Sequence, residues 1–437
     1  MTNSRLLIKG GRLIDPAQRI DGTMDLLIEN GKVAEAGKGL KAAGAEEIDA
    51  RGKIVSPGFI DLHVHLRSPG QEHKETIATG SRAAVNGGFT TICTMANTDP
   101  VVDSTTVVEY LKAQSAKVGL VNILPYAAVT IGLKGETLTE MGELQQAGVV
   151  GFSDDGAPIM NAGVMRRALE YSRLTGLPIL AHCEDKNLTG NGVVHEGLTA
   201  ARLGLAGMPA EAETVMIARD LLLAQATGGR LHIAHVSTAQ GVELIRAAKA
   251  KGVPVTAEVA PHHLTLTEEK LAGYDPCFKM NPPLRTSADL KALREGLQDG
   301  TLDAVATDHA PHSVVEKESE LAHAPFGVIG LETAFSVLFS SLAEKGLLDL
   351  STLIAALTIR PAQILGIDRG RLQPGAPADV AILDPEAEWT VEAKALVSKA
   401  TNSPFLGWRL KGLVTDVVVG GRQVLCNRQF VHGALSR

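Results

Sequence analysis

The sequence is organised around one stretch, Ile54 to Arg67, which reads IVSPGFIDLHVHLR. It begins as an apolar run, passes a Pro-Gly pair, and ends with His63 and His65 one residue apart. Side chains at positions i and i+2 of a strand point to the same side, so both imidazoles face one way and lie close enough to share a metal ion. Asp61 lies on the same face, and we expect it to accept a ring N–H. The stretch predicts a strand ending in a metal site; the alternative is a pair of buried, hydrogen-bonded core histidines.

The composition excludes several classes of function. The chain has 437 residues, of which 45% are hydrophobic, enough for one large domain plus something smaller, or for two or three ordinary domains. With a net charge of −7 and no basic stripe, we expect no nucleic-acid partner. The first residues are too short in their apolar part for a signal peptide, and no run approaches the about 18 uncharged residues of a membrane span. The four widely spaced cysteines form no Cys-x-x-Cys pair and favour a reduced, cytoplasmic protein.

The two ends of the chain share a sequence pattern that the middle lacks. Residues 1–55 and 366–437 contain short apolar strands broken by Gly, Asn and Asp turns, and a Gly-Gly-Arg follows a strand at 10–12 and again at 420–422. We therefore predict that the ends pair into one small β domain, with residues 56–365 inserted between them as the catalytic domain.

The middle alternates apolar strands with Ala- and Leu-rich runs that end at glycine, such as residues 241–252. Eight strands with intervening helices predict an α/β fold, a (β/α)₈ TIM-type barrel. The alternative is an open doubly wound sheet, but no glycine-rich phosphate loop follows the first strand. The eight strand candidates are residues 54–63, 89–95, 121–129, 149–153, 178–182, 230–236, 253–259 and 302–308.

Metal-type side chains follow five of these strands at the same end. In a barrel of this kind the chemistry lies at the carboxyl ends of the strands. Four histidines and two carboxylates suit two divalent ions with one bridging carboxylate, and nitrogen and oxygen ligands favour zinc, with manganese or cobalt as substitutes. Spacing alone does not decide between the neighbours Asp154 and Asp155. The residues are His63 and His65, Asp154 and Asp155, His182, His235, and Asp308.

Two ions that share a water would lower its pKa and supply hydroxide near neutral pH. Asp308 is the natural carrier of the attacking proton to a leaving nitrogen. The pattern therefore predicts hydrolysis, or its reversal, at a polarised carbonyl. We expect His232 to be packed in the structure rather than to bind metal, whereas His262 and His263 either face the site or have a structural role.

Several motifs resemble those of the dihydroorotases, a family of cyclic amidohydrolases. Residues 57–67 are similar to the first-strand signature of the superfamily, and Arg67 after the histidine pair, followed by Pro69-Gly70, is typical of dihydroorotases. The resemblance continues in order along nearly the whole chain. The further matching segments are residues 94–98, 279–285, 306–312 and 325–332.

The resemblance implies the reversible ring opening of (S)-dihydroorotate to N-carbamoyl-L-aspartate in pyrimidine synthesis, with two zinc ions. The implied ligands are His63, His65 and Asp308 for one zinc, His182 and His235 for the other, and Asp155 as the bridge. Asp308 would also be the general acid and base. The implied substrate contacts are Arg67, Asn97 and His312 for the carboxylate, Asn281 and the backbone of Phe326 and Gly327 for the ring amides, and His65 beside them.

One feature divides the superfamily. Many relatives bridge their metals with a carboxylated lysine on strand four, but residues 151–156 here read GFSDDG. An aspartate bridge resembles a bacterial dihydroorotase class that often works in complex with aspartate transcarbamoylase. We expect such a complex and a homo-oligomer.

Two other functions are alternatives to dihydroorotate hydrolysis: hydrolysis of another cyclic amide, and a non-catalytic scaffold. A dihydropyrimidinase or allantoinase would act on a ring without this carboxylate, so Arg67 and Asn97 argue against both. A non-catalytic scaffold for aspartate transcarbamoylase would keep buried His and Asp side chains without metal, at a cost in folding free energy.

The polar segment from His312 to Gly327 is predicted to close over bound substrate. The alternative is an ordinary surface loop.

Overall fold

The structure, a computed structural model, describes residues 5–431 and confirms the mixed α/β class. The strands are β1 (Arg5–Asp15), β2 (Ile20–Glu29), β3 (Lys32–Gly37), β4 (Glu46–Asp49), β5 (Ile54–Pro57), β6 (Phe59–Val64), β7 (Phe89–Thr94), β8 (Asn122–Pro125), β9 (Phe152–Ser153), β10 (Ile179–Ala181), β11 (Val194–His195), β12 (Gly207–Met208), β13 (Leu231–Ile233), β14 (Val255–Val259), β15 (Ala304–Val305), β16 (Val380–Thr390), β17 (Arg409–Val419), β18 (Arg422–Cys426) and β19 (Gln429–Phe430). The α-helices are α1 (Ile77–Asn86), α2 (Thr105–Val118), α3 (Met141–Ala147), α4 (Ala162–Thr175), α5 (Lys186–Thr189), α6 (Leu198–Leu203), α7 (Glu211–Thr227), α8 (Ala239–Ala250), α9 (Pro261–Thr265), α10 (Ser287–Asp299), α11 (Val314–Lys317), α12 (Ala334–Leu338), α13 (Leu350–Leu357) and α14 (Ile359–Leu365).

One nine-stranded sheet draws its strands from both ends of the chain. Its order is β19-β18-β17-β16-β5-β1-β2-β3, with β4 paired to β1. The junction between the two ends is the antiparallel pairing of β16 with β5. Leu13 and Ile28 from one end pack with Val380 and Val418 from the other in one buried cluster. Each such side chain stabilises the folded state by about 1.5–3 kcal/mol on burial.

Eight parallel strands of the middle region form two further sheets. One contains β6-β7-β8 and the other β9-β10-β13-β14-β15. Parallel bridges join the two sheets at both edges, one between Ala127 and Phe152 and one between Val64 and His309. Seven of the eight strand candidates fall on these strands alone, whereas the first, residues 54–63, is divided at Gly58 into β5 of the nine-stranded sheet and β6. The carboxyl ends of the eight parallel strands meet on one side.

The strands are shorter than the sequence predicts at the end where the polar residues lie. The eighth candidate, residues 302–308, contains only the two-residue strand β15. Three candidate site residues beyond strand ends, Arg67, His235 and Asp308, have φ angles of 61°, 33° and 48°. Non-glycine residues rarely adopt this left-handed conformation, and it is concentrated at functional sites, where the surrounding structure over-determines it.

Helices cover the outside of the parallel strands. Phe59 of β6 stacks on Phe335 of α12 at 5.5 Å between ring centroids and contacts the edge of Phe89 at 5.7 Å. Helix α8 begins two residues before the predicted run because Thr238 caps it, accepting a hydrogen bond from the Gly241 N–H at 3.1 Å. None of the helices within residues 5–431 combines the length and the apolar character that a membrane span requires.

Candidate metal and substrate site

The six side chains implied as metal ligands converge at the carboxyl ends of the parallel strands, and all six are buried. His63 lies in β6 and His65 directly follows it, Asp155 follows β9, and His182 follows β10. Two groups suited to a metal ion, His63, His65 and Asp155 and then Asp155, His182 and His235, share the same aspartate. We name the six residues the ligand cluster: His63, His65, Asp155, His182, His235 and Asp308.

Asp155 lies at the centre of the ligand cluster. Its Oδ1 is 3.4 Å from His63 Nε2, 3.3 Å from His182 Nδ1 and 3.4 Å from His235 Nε2, and its Oδ2 is 3.4 Å from His65 Nε2. The neighbouring Asp154 turns away and accepts hydrogen bonds from the Val129 and Thr130 N–H groups at 2.7 and 3.1 Å. The structure therefore separates two aspartates that spacing alone leaves equivalent.

The Asp308 carboxylate lies beside the rings of His63 and His65. Its Oδ1 lies 3.5 Å from His63 Nε2 and 3.3 Å from His65 Nε2. Burial opposes ionisation of Asp308, but the charge of His63 and the hydrogen bond with His65 outweigh it and hold its pKa below the usual range. Asp308 is therefore a carboxylate at neutral pH, the form needed in a ligand or a base.

The donor set fits a divalent metal. His63 Nε2 is fully buried and has no hydrogen-bond partner among the described residues, and His182 Nδ1 lies 2.9 Å from His235 Nε2. Buried polar atoms without partners are costly, whereas ring nitrogens and carboxylates directed at one point are what zinc binds. The metal-type cluster is thus present in the structure; the identity and the number of the ions remain predictions.

The opposite ring nitrogens of three cluster histidines, His63, His65 and His182, are held by other side chains, so their remaining nitrogens face Asp155. His63 Nδ1 lies 2.8 Å from Glu258 Oε1, and Glu258 Oε2 lies 3.1 Å from His232 Nε2. Burial opposes ionisation of Glu258, but its bonds with His232 and His63 outweigh burial and lower its pKa to about 2. His232 is packed behind the site, as expected.

Glu258 takes the place that we expected Asp61 to fill, and that expectation is wrong. The Asp61 carboxylate accepts hydrogen bonds from the His63 N–H, the Thr307 N–H and the Thr307 hydroxyl at 3.1, 3.0 and 2.6 Å. Its short side chain is satisfied by its own strand and the adjoining one. Only the strand pairing brings Glu258, which lies 195 residues from His63, to the ring.

A cavity of about 330 Å³ opens over the ligand cluster, within the range of small-molecule sites. All the residues implied as substrate contacts line it. Glu184, Lys186, Thr189, Gly190, Gly192, Met208 and Ala310 complete much of the wall. The implied residues in the lining are His65, Arg67, Asn97, Asn281, His312, Phe326 and Gly327.

Arg67 and His312 lie together in this cavity. Arg67 Nε donates to the Pro311 carbonyl at 3.2 Å, and its guanidinium lies 3.4 Å from His312 Nε2. His312 Nε2 donates to the Phe326 carbonyl at 2.8 Å. Burial, and then the charge of Arg67, lower the pKa of His312 to about 3, so its ring is neutral. The cavity thus presents the partly buried Arg67 cation beside one neutral imidazole.

Asn97 has a further contact that the sequence does not reveal. Its Oδ1 lies 2.9 Å from His65 Nδ1, and its Nδ2 donates to the Asp155 carbonyl at 3.2 Å. It therefore supports the cluster as well as lining the cavity. His262 and His263 are buried outside the cluster; His263 Nε2 donates to the Pro282 carbonyl at 2.9 Å.

The segment from His312 to Gly327 is held at several points. Ser313 caps helix α11, and Glu316 of this helix forms a 3.1 Å ion pair with Lys74. The ammonium of Lys317 donates to the carbonyls of Pro276 and Pro325 at 3.0 and 2.8 Å. The predicted closure over substrate remains a prediction.

Sequence reasoning missed two residues that organise the cavity. Glu184 accepts hydrogen bonds from His182, Lys186 and Asn281, and its position two residues after His182 was a signal that could have been followed. Asn402 bonds to His312, Ala310 and Gly327 from 75 to 92 residues away. Nothing in its local sequence indicates this.

Comparisons with known proteins find relatives that are named dihydroorotases and hydantoinases. A "Dihydro-orotase-like" family model matches residues 52–241. A dihydroorotase of Pelotomaculum thermopropionicum is 54% identical over 97% of this chain and 99% of its own length, and one of Geobacter metallireducens is 52% identical over 96% and 99%. An L-hydantoinase (dihydropyrimidinase) structure from Arthrobacter aurescens has a TM-score of 0.88 at 28% identity, covering 98% of both chains. A D-hydantoinase structure has a TM-score of 0.86 at 25% identity, covering 98% of this chain and 96% of that one.

Proposed function

The chain belongs to the dihydroorotase family of cyclic amide hydrolases, and on that premise we propose that it catalyses the reversible hydrolysis of (S)-dihydroorotate to N-carbamoyl-L-aspartate in pyrimidine synthesis. The observation that carries the proposal is the partly buried guanidinium of Arg67 in the same cavity as the ligand cluster. A planar guanidinium suits the ring carboxylate that distinguishes dihydroorotate from uncharged cyclic amides.

The proposed cofactor is a pair of zinc ions, with Asp155 between them. When bound, two such ions lower the pKa of a shared water and polarise a carbonyl. The support is the position of Asp155, which belongs to both metal-type groups. One ion would be held by His63, His65 and Asp308, and the other by His182 and His235.

Asp308 is proposed as the general base and acid. As a carboxylate directed into the cluster, it takes a proton from the attacking water and delivers it to the ring nitrogen when the carbon–nitrogen bond breaks. The water oxygen remains on the carbonyl carbon, and the new carboxyl group releases the second water proton to solvent, so the product gains a second carboxylate and a neutral ureido nitrogen. The reverse reaction uses the same proton in the opposite direction.

Arg67, Asn97 and His312 are proposed to bind the ring carboxylate. The His312 Nε2–H donates to the Phe326 carbonyl, and a neutral ring has only one N–H to offer. Binding the carboxylate through this N–H frees the Phe326 carbonyl for an N–H of the substrate. Asn281 and the backbone of Phe326 and Gly327 then hold the ring amides. If His312→Ala leaves both kcat and KM unchanged, this exchange and the closing segment are wrong.

We also propose a (β/α)₈ barrel and a division of the chain into two domains. The pairing order of the eight parallel strands, with bridges at both edges, supports a (β/α)₈ barrel. The nine-stranded sheet supports a small β domain from residues 1–55 and 366–437 around a catalytic domain at 56–365. All four cysteines are free thiols, which suits the proposed cytoplasmic location. A homo-oligomer and a complex with aspartate transcarbamoylase are proposed for the intact protein.

The test is absorbance-monitored hydrolysis of dihydroorotate by the purified, zinc-loaded protein, with dihydrouracil in parallel. We expect turnover of dihydroorotate alone. Turnover of dihydrouracil instead would assign the chain to the activity named for its hydantoinase neighbours and would refute the role of Arg67. Inactivity on both substrates, with or without added aspartate transcarbamoylase, together with no tightly bound divalent ion, would support the scaffold.

A further inference from the structure

Glu184 stands in the wall between the ligand cluster and the cavity, and we propose that it is a positioning residue for both. It would orient the ring of His182 toward the metal and the side-chain amide of Asn281 toward the substrate. The inference rests on the proposed function and goes beyond it, because it links the metal half of the site to the substrate half through one carboxylate.

The observation is a threefold contact on one oxygen. Glu184 Oε2 lies 2.9 Å from His182 Nε2, 2.9 Å from Asn281 Nδ2 and 2.6 Å from Lys186 Nζ. Glu184 itself is only 5% exposed, and that remaining surface lines the cavity. A buried carboxylate in this setting is held by its three donors and in turn restricts their orientation.

The first consequence concerns His182. Because Nε2 donates its proton to Glu184, the lone pair of the ring lies on Nδ1, which faces Asp155 Oδ1 at 3.3 Å. A metal-binding histidine whose second nitrogen is held by a carboxylate keeps its tautomer and orientation, and loss of such a partner weakens metal binding about 10- to 100-fold. Glu184 thus prepares His182 to bind the metal.

The second consequence concerns Asn281. Its Nδ2 donates one of its two N–H groups to Glu184, which fixes the orientation of the amide and leaves the carbonyl Oδ1 as an acceptor. Asn281 should therefore accept an N–H of the substrate through Oδ1. Cyclic amides and their ureido products both carry such an N–H.

Lys186 completes the arrangement. Its ammonium lies 2.6 Å from Glu184 and is half exposed at the rim of the cavity. It balances the carboxylate, so Glu184 can stand in a cavity built for an anionic substrate without repelling it.

The experiment measures two quantities on the full-length protein. Zinc affinity is measured by chelator competition without substrate, and KM and kcat are measured with dihydroorotate. We expect Glu184→Ala to weaken zinc binding by about 10- to 100-fold and to raise KM by about tenfold. Glu184→Gln places an amide oxygen at the position of Oε2, so its zinc affinity and its KM should both lie close to those of the wild type.

Two further variants separate positioning from a general structural role. Asn281→Asp sets a second carboxylate oxygen against Glu184 and should raise KM while leaving zinc affinity within about twofold. Glu332→Ala is the matched control, because Glu332 is also buried and accepts a hydrogen bond from an asparagine amide, that of Asn86. It should lower thermal stability without changing zinc affinity or KM.

Unchanged zinc affinity and KM in folded Glu184→Ala would overturn the inference, as would equal effects of Glu332→Ala on both quantities. If Glu184→Ala does not fold, Glu184→Gln and Asn281→Asp provide the test. A loss of zinc affinity in Asn281→Asp as large as its rise in KM would contradict the separate roles. Failure of the wild-type protein to hydrolyse dihydroorotate would refute the proposed function, while the zinc measurement would still test the effect on His182.

Discussion

The ligand cluster and the part of the cavity wall that carries the proposed substrate contacts are two halves of the candidate site with different construction. We name this part the substrate wall: Arg67, Asn97, Asn281, His312, Phe326 and Gly327. The cluster is supplied mainly by residues directly after parallel strands, so strand pairing alone brings them together. The substrate wall is supplied by loops, and its members are held by side chains from distant segments. Strand pairing sets where the cluster residues lie, and hydrogen bonds from Glu258, Asn97 and Glu184 orient their rings, whereas hydrogen bonds also set where the residues of the substrate half lie.

Asn402 illustrates the second kind of construction. Its Oδ1 accepts the His312 N–H at 3.2 Å, and its Nδ2 donates to the carbonyls of Ala310 and Gly327, each at 3.1 Å. One buried amide from the C-terminal part thus joins both sides of the loop that carries His312. We therefore expect substitutions in the two halves to affect different quantities.

The largest expected effect is that of Asp308→Asn, which should lower kcat by about 10³-fold, because an amide cannot carry the proton. The amide oxygen retains a metal-binding atom, so metal content measured by elemental analysis should stay near that of the wild type. Near-normal kcat would refute the proton-transfer role of Asp308. Asp155→Ala is the contrast, since removal of the shared carboxylate should release metal.

Arg67→Met tests the substrate half. We expect kcat/KM for dihydroorotate to fall by about 100-fold, since loss of a buried charge partner costs about 2–5 kcal/mol. Arg67→Lys keeps the charge but not the planar fork, so it should lie between Met and the wild type. Zinc affinity measured by chelator competition should not change; a loss of zinc would show that the two halves are not separable.

Asn402→Ser should raise KM by about tenfold, because the loop of His312 loses the amide that joins its two sides. Zinc affinity should be unaffected. Asn122→Ser is the matched control, because Asn122 donates to the Thr90 carbonyl at 2.8 Å from the start of β8, away from the cavity. An equal rise of KM in both variants would mean that Asn402 acts only through stability.

The remaining prediction concerns stability rather than activity and involves His263, which belongs to neither half. Burial lowers its pKa to about 3, whereas the unfolded chain binds this proton below about pH 6.5. Stability should therefore fall as the pH decreases through this window, by about 1.4 kcal/mol per pH unit for this group. Urea unfolding of chelator-treated protein at pH 6.5 and 4.5 should show a weaker pH dependence in His263→Gln. The same dependence in the variant would assign it to other groups.

The sequence could predict the cluster because its chemistry and its geometry are local. His63 and His65 share a face through the two-residue period of a strand, and the other ligands follow predicted strands whose carboxyl ends meet on one side. The choice of Asp155 over Asp154 came from the family resemblance; in the structure the Asp154 carboxylate accepts the Val129 and Thr130 N–H groups, whereas that of Asp155 faces the cluster histidines.

What the sequence determined by itself was the α/β class, the approximate positions of the parallel strands, the set of metal-type side chains and the family, since these depend on residue periodicity and on motifs read in order. The tertiary structure alone decided that Glu258 rather than Asp61 holds His63, that Glu184 joins His182 to Asn281, and that Asn402 supports the loop of His312. Such contacts join residues up to 195 positions apart. A hydrogen bond depends on atoms within about 3 Å of each other, and no local pattern encodes which distant segments the folded chain brings that close.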